Sequence, residues 1–242
     1  MPDGRRLHCT TFAPSAPRAV AVFVPAAGLD VNVYVPLIVA IARTGVQIVL
    51  PLPDEGEYGR TATALRHVED LLALTDATRL AYPHLPLFVG AHSAGCSLAW
   101  RALRERRGEV DGAFLIAPRS MTIGFARRTL RPKRAPGFLA AAWRRCRDGW
   151  KGRRRMLDDD CDAAATLPEE RQLSMFVAVP DADEHPPRHP NASALRAAFR
   201  EAPDCTIVPV PTGGDADILQ SAARTVPRWL ASHRVLQASY AA

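Results

Sequence analysis

The run Ala19-Val20-Ala21-Val22-Phe23-Val24-Pro25 is apolar at every position. A strand with one wet face alternates apolar and polar residues, so an unbroken run reads as a strand covered on both faces, the mark of a parallel sheet flanked by helices. The next stretch has the other period. Leu37, Ile38 and Ile41 share one face of a helix over Val33–Arg43, Gly45 stops it, and Val46–Pro51 is the next apolar run. The alternation continues through helix Arg60–Tyr82, strand Leu85–Gly90, helix Ala94–Arg107 and strand Gly112–Ala117. After an interruption it resumes with strand Leu173–Val179, helix Ala192–Glu201, strand Cys205–Val210 and helix Asp217–His233. Preceded by a short extended start at Arg5–Phe12, this pattern is of the α/β class, a mostly parallel sheet with helices on both faces.

The interruption, residues 118–172, reads as an insertion into a single domain whose core is residues 1–117 and 173–242. A chain of 242 residues is long enough for this, and buries roughly 70% of its unfolded surface. Ligands of open α/β sheets bind at the carboxyl ends of the strands, so an insertion there is expected to form a helical lid. Within it, Phe138, Ala142, Cys146 and Trp150 recur every four residues beside Leu139 and Trp143, an apolar stripe that faces either the core or a pocket; Phe138, Trp143 and Trp150 are the candidate pocket residues.

The same insertion holds the charge. The chain carries 31 basic and 25 acidic residues, a net of +6, yet Arg119–Arg155 alone contains thirteen basic residues and one acid, leaving a net of −6 on the remainder. Only Lys133 and Lys151 are lysines, so the positive charge is almost all guanidinium. Such a tract suits an entrance that steers an anionic or carrier-bound substrate, a membrane-surface helix, or simply a solvated outer face. No recognisable nucleic-acid module accompanies it, and no nucleic-acid partner is expected.

Other classes are excluded early. The amino terminus is polar and the longest apolar runs are too short to span a bilayer, so no transmembrane segment is expected and a cytoplasmic location is the default reading. Cys9, Cys96, Cys146, Cys161 and Cys205 are scattered and never in C-x-x-C spacing, which suggests reduced, mostly buried thiols rather than disulfides or zinc. His185 and His189 lie four apart, but Pro186, Pro187 and Pro190 exclude the helix that would pair them, so no metal and no cofactor is expected. His8, His67, His84 and His233 read as surface or terminal residues.

The chemistry concentrates in Gly90-Ala91-His92-Ser93-Ala94-Gly95, between a strand and a helix. Small residues two before and two after Ser93 let the backbone turn sharply. That turn lifts the hydroxyl above the sheet, while the helix amino terminus offers amides to a developing oxyanion. An ordinary helix-capping serine is the plainer alternative.

With this turn the chain resembles the α/β-hydrolase superfamily over nearly its whole length. The resemblance implies an oxyanion hole formed by the amides of Ala27, in Pro25-Ala26-Ala27-Gly28, and Ala94. It also places the acid of a triad at Asp183, in Val179-Pro180-Asp181-Ala182-Asp183-Glu184-His185, with Asp181 as second choice. Gly213-Gly214-Asp215-Ala216-Asp217 is similar to the Gly-His-x-Asp segment that carries the catalytic histidine in esterase- and lipase-like members, and here the histidine position is Asp215.

That departure matters because a serine hydroxyl needs a base poised near ambient pH, and a carboxylate with a reference pKa of about 3.9 is a weak acceptor. Loss of the histidine costs about a millionfold in subtilisin. His185 is the best substitute base, whereas His92, next to Ser93, should point elsewhere. Asp183 and Asp215 facing each other would instead share a proton. A plainer outcome is that Asp215 only caps the last helix, and a substitution introduced in the laboratory is also conceivable. The expected function is therefore an enzyme acting on an acyl, ester or thioester substrate through Ser93, with proton chemistry altered by Asp215. The alternative is a triad-degenerate isomerase, lyase or cyclase, or a non-catalytic binding protein using the same pocket. Oligomeric state is open.

Overall fold

In the computed structural model, residues 7–26, 29–52, 68–105, 109–118, 173–180, 204–210 and 214–238 are described. The apolar runs pair into one seven-stranded sheet. Its strands are β1 (Cys9–Phe12), β2 (Ala19–Val24), β3 (Val46–Pro51), β4 (Leu87–His92), β5 (Gly112–Ile116), β6 (Ser174–Pro180) and β7 (Cys205–Val210), in the order β1-β3-β2-β4-β5-β6-β7. Among the described residues only the edge strand β1 is antiparallel, to β3. The chain runs from β2 outward to β3, then returns to place β4 on the other side of β2, so the order reverses between β2 and β4. The crevice at the carboxyl ends of those two strands is where such sheets bind ligands.

Five helices cover the sheet among the described residues: α1 (Val35–Ala42), entered through a 3-10 turn at Val31–Tyr34, α2 (Val68–Ala81), α3 (Gly95–Glu105), α4 (Asp215–Ser232) and α5 (Arg234–Ala238). Period-two alternation sends Val20, Val22, Val89 and Ala91 to one face, packed by Leu71 and Leu74 of α2 and Ala99, Trp100 and Leu103 of α3. Ala21, Phe23, Phe88, Phe114 and Phe176 fill the other face with Leu37, Ile38 and Ile41 of α1 and Ile218, Val226 and Leu230 of α4. Each large apolar side chain buried this way is worth roughly 1.5–3 kcal/mol. An exposed pair such as Arg79–Asp111, at 3.4 Å, contributes at most about 1 kcal/mol. The two apolar layers therefore hold the fold. Gly45, at φ +86°, makes the left-handed turn from α1 into β3 that a side chain would strain.

The elements differ from the sequence reading at their ends. β4 runs two residues past Gly90, because Ala91 and His92 still pair with Leu115 and Ile116 of β5. α4 begins at Asp215, two residues before the expected start. His233, expected at the surface or terminus, is buried, its ring centroid 5.0 Å from that of Phe88 and 5.3 Å from that of Trp229. The thiols are mixed, with Cys96 buried, Cys205 partly buried and Cys9 exposed. Residues 60–67, the insertion from 119 to 172 and the helix expected at 192–201 lie outside the described residues.

Candidate active site

Ser93 occupies the turn from β4 into α3 with φ +52°, a left-handed conformation that costs a non-glycine residue about 1–2 kcal/mol. Neighbouring structure holds it there. The Ser93 N–H donates to the Ile116 carbonyl at 2.9 Å, prolonging the ladder with β5, and its carbonyl accepts from the Cys96 N–H at 3.1 Å. A Cβ at Gly95 would stand 2.7 Å from the Val24 carbonyl oxygen and 2.8 Å from that of Pro25. Glycine thus lets α3 dock its amino terminus onto the end of β2. The small-x-Ser-x-Gly pattern is here a strained strand-turn-helix at the point where strand order reverses, with Ala94 in the turn just before α3. Cys96, the nearest thiol in sequence, is fully buried, and burial pushes its pKa up, which keeps it a neutral thiol.

Behind Ser93, on the α1 and α4 side of the sheet, lies a polar chain inside an apolar layer. The Ala26 N–H donates to the Tyr34 hydroxyl at 2.8 Å, and that hydroxyl lies 3.0 Å from His92 Nδ1. His92 Nε2 is 3.6 Å from Asp215 Oδ1. His92 and Tyr34 are fully buried, whereas the Asp215 side chain is 29% exposed. Burial raises the Tyr34 pKa, the Ala26 hydrogen bond opposes that, and the Asp215 charge adds to the rise, so the phenol stays protonated.

His92 directs its two ring nitrogens at Tyr34 and Asp215. The Asp217 carboxylate caps the helix, accepting from the Gly214 N–H at 3.2 Å. Asp215, the first residue of α4, has Oδ1 turned toward His92 at the end of β4. Ala27, Asp183, His185, Phe138, Trp143 and Trp150 lie outside the described residues. Tyr34 was missed by sequence reasoning. Its signal was the lone hydroxyl three residues before Leu37 and four before Ile38, hence on the inward face of an otherwise apolar helical stretch.

A groove of about 620 Å³ is lined by Phe12, Pro14, Arg18, Val39, Arg43 and Gly45. It sits by the amino ends of β2 and β3, the wrong end of the sheet for Ser93. Among the described residues no group of three or more His, Cys, Asp or Glu is poised to hold a metal, and no helix is long and apolar enough to cross a membrane.

Residues 15–143, just over half the chain, match the family described as serine aminopeptidase, S33. The chain belongs to this family of α/β hydrolases. Solved α/β hydrolases share its fold across nearly the whole length. The monoacylglycerol lipase of Paleococcus ferrophilus is 17% identical, with 95% of this chain and 100% of that one covered and a TM-score of 0.62. Est1E from Butyrivibrio proteoclasticus, with ferulic acid bound, is 12% identical over 96% of both chains, with a TM-score of 0.65. A soluble variant of monoglyceride lipase from Saccharomyces cerevisiae, in complex with a substrate analogue, is 12% identical over 96% of this chain and 93% of that one, with a TM-score of 0.62. No curated protein matches the sequence. At these identities the solved structures establish the hydrolase fold, and the substrates in their descriptions belong to those proteins.

Proposed function

We propose that this α/β hydrolase is an esterase- or lipase-like serine enzyme acting on a small acyl ester or thioester. The observation that carries the reading is the left-handed Ser93, held between β4 and α3 at the reversal of strand order. Its hydroxyl oxygen attacks the substrate carbonyl carbon, and the oxyanion is met by the amides of Ala27 and Ala94 at the end of β2 and the start of α3. Collapse expels the alcohol or thiol. Water then attacks the acyl-serine, releasing the acid and restoring the hydroxyl.

The proton of Ser93 needs an acceptor. Because Asp215 faces His92 at 3.6 Å, it is less suited to share a proton with Asp183, and the base is assigned to His185, in the segment after β6, with Asp183 as the acid that orients it. Residues 118–172 form the lid in this reading. The segment follows β5 in sequence, and its arginines are proposed to steer an anionic acyl substrate toward Ser93.

The test is hydrolysis of p-nitrophenyl esters of graded chain length. Turnover that is lost in Ser93→Ala and falls at least a hundredfold in His185→Ala supports the reading. Turnover unchanged in Ser93→Ala overturns it. A second reading, a binding protein that keeps the pocket, is favoured by Asp215 standing where the superfamily's histidine is expected. It predicts saturable binding of such esters with no turnover.

A further inference from the structure

Asp215 stands in the position of a catalytic histidine yet faces another residue's buried imidazole, and the chain of contacts does not end there. Tyr34 has one hydroxyl hydrogen. Because its oxygen accepts the Ala26 N–H at 2.8 Å, that hydrogen is available to His92 Nδ1 at 3.0 Å. A neutral His92 with Nδ1 accepting carries its own proton on Nε2, the nitrogen 3.6 Å from the Asp215 carboxylate. Read from the other end, the Asp215 charge, beyond hydrogen-bond range at 3.6 Å, favours the proton on His92 Nε2 electrostatically, the imidazole accepts from the phenol, and the phenol accepts the Ala26 N–H. Ala26 is the residue before Ala27, the assigned oxyanion donor.

We infer that Tyr34 is a positioning residue for the oxyanion turn, held in place by His92 and Asp215. The inference rests on the reading of Ser93 and Ala27 given above. Three segments meet at this carboxyl edge of the sheet: the turn after β2, the end of β4 that delivers Ser93, and the start of α4. Buried hydrogen bonds join Ala26 to Tyr34 and Tyr34 to His92, and the part-exposed Asp215 faces His92 at 3.6 Å, so these contacts reach all three. The residues after β2, Pro25 and Ala26, are small, and the Tyr34 hydroxyl supplies a fixed point for the Ala26 amide. The ring itself is held independently, fully buried and edge-on to Phe23 at 5.3 Å between centroids, so the hydroxyl can be removed without removing its support. Asp215 then acts at a distance, through the imidazole and the phenol, rather than as a base at Ser93.

The experiment compares the full-length protein with Tyr34→Phe, Asp215→Asn and Asp217→Asn, following fluorophosphonate labelling of Ser93 and ester turnover, together with NMR of the His92 ring nitrogens and the Ala26 amide. The expected result for Tyr34→Phe is a kcat reduced ten- to a hundredfold with KM within about twofold, part of the 10²–10³ lost when an oxyanion donor is removed outright. Faster exchange of the Ala26 amide and a shift of the His92 Nδ1 resonance, from loss of the hydrogen bond it accepts, should accompany it. Asp215→Asn should move the same signals in the same direction, and it keeps the test alive should Tyr34→Phe not fold. Asp217→Asn, which touches only the helix cap, should leave kcat alone. Unchanged kcat and labelling in Tyr34→Phe, with an active parent, overturn the inference and leave the hydrolase reading standing. A parent that neither labels nor turns over overturns the hydrolase reading. In that case an Ala26 amide and a His92 Nδ1 resonance that do not respond to Tyr34→Phe or Asp215→Asn overturn the inference as well.

Discussion

Gly95→Ala is the most informative single methyl in this chain. Two effects oppose each other. Alanine is the better helix former, worth up to about 1 kcal/mol in a helix interior and less at the first helical residue, which Gly95 is. Against that, the new Cβ would lie 2.7 Å from the Val24 carbonyl oxygen and 2.8 Å from that of Pro25, where carbon–oxygen contacts ordinarily begin at about 3.3 Å. Both oxygens are backbone, and Val24 ends a strand paired to β4. Relief therefore requires α3 and the end of β2 to separate by about half an ångström. Overpacking of this sort typically costs about 1–3 kcal/mol, so the clash outweighs the propensity gain. For a chain of this size the net loss should lower Tm by about 2–8 °C. The same separation pulls apart the two segments proposed to hold the oxyanion, and small misplacements of this sort cost about 10- to 100-fold in rate. Thermal denaturation and the second-order rate of fluorophosphonate labelling read the two consequences. An alanine variant with unchanged Tm and unchanged labelling would refute the argument that close approach demands glycine here.

Other expectations follow from the same geometry. Ser93→Gly and Ser93→Ala both abolish labelling, but at φ +52° glycine should be the more stable variant by about 1 kcal/mol in urea unfolding; equal stabilities would mean the turn is unstrained. Asp217→Ala removes the carboxylate that accepts from the Gly214 N–H and should cost about 0.5–2 kcal/mol without touching turnover. Burial lowers the pKa of His233 below the ordinary 6.5, and its Nε2 has no hydrogen-bond partner among the described residues. Because the unfolded chain then binds the proton first, its contribution to stability is complete above pH 6.5 and is lost as pH falls below it. The slope cannot exceed about 1.4 kcal/mol per pH unit. His233→Phe, which keeps an aromatic ring against Phe88 and Trp229, should flatten unfolding curves measured between pH 7 and 5, and an unaltered slope would count against the assignment.

Much of the fold was legible because burial on both faces leaves a plain mark. β3 and β7 occupy the residues expected of them, and the strand-turn-helix around Ser93 follows from small residues at fixed offsets. The polar network was not legible. Tyr34 and His92 are 58 residues apart, and hydrophobic periodicity says only that both face inward, not that they meet. His92 was expected to point away from Ser93, and it does lie on the opposite side of the strand from Ala91, but its partners depend on sheet order. Asp215 and Asp217 look alike in sequence at a helix start. Only the fold decides that Asp217 turns back to the helix and Asp215 toward His92. His233 looked terminal because the five-residue helix that follows it carries too short a pattern to announce itself.

The central claim is that Ser93 is an activated nucleophile in a working α/β hydrolase. Its most direct test is exposure of the folded protein to a fluorophosphonate, with the adduct weighed intact and mapped by peptide mass spectrometry. Close to one adduct per chain is expected, on Ser93, suppressed by an ester substrate in competition. A folded protein that remains unmodified under conditions that label an active serine hydrolase would contradict it.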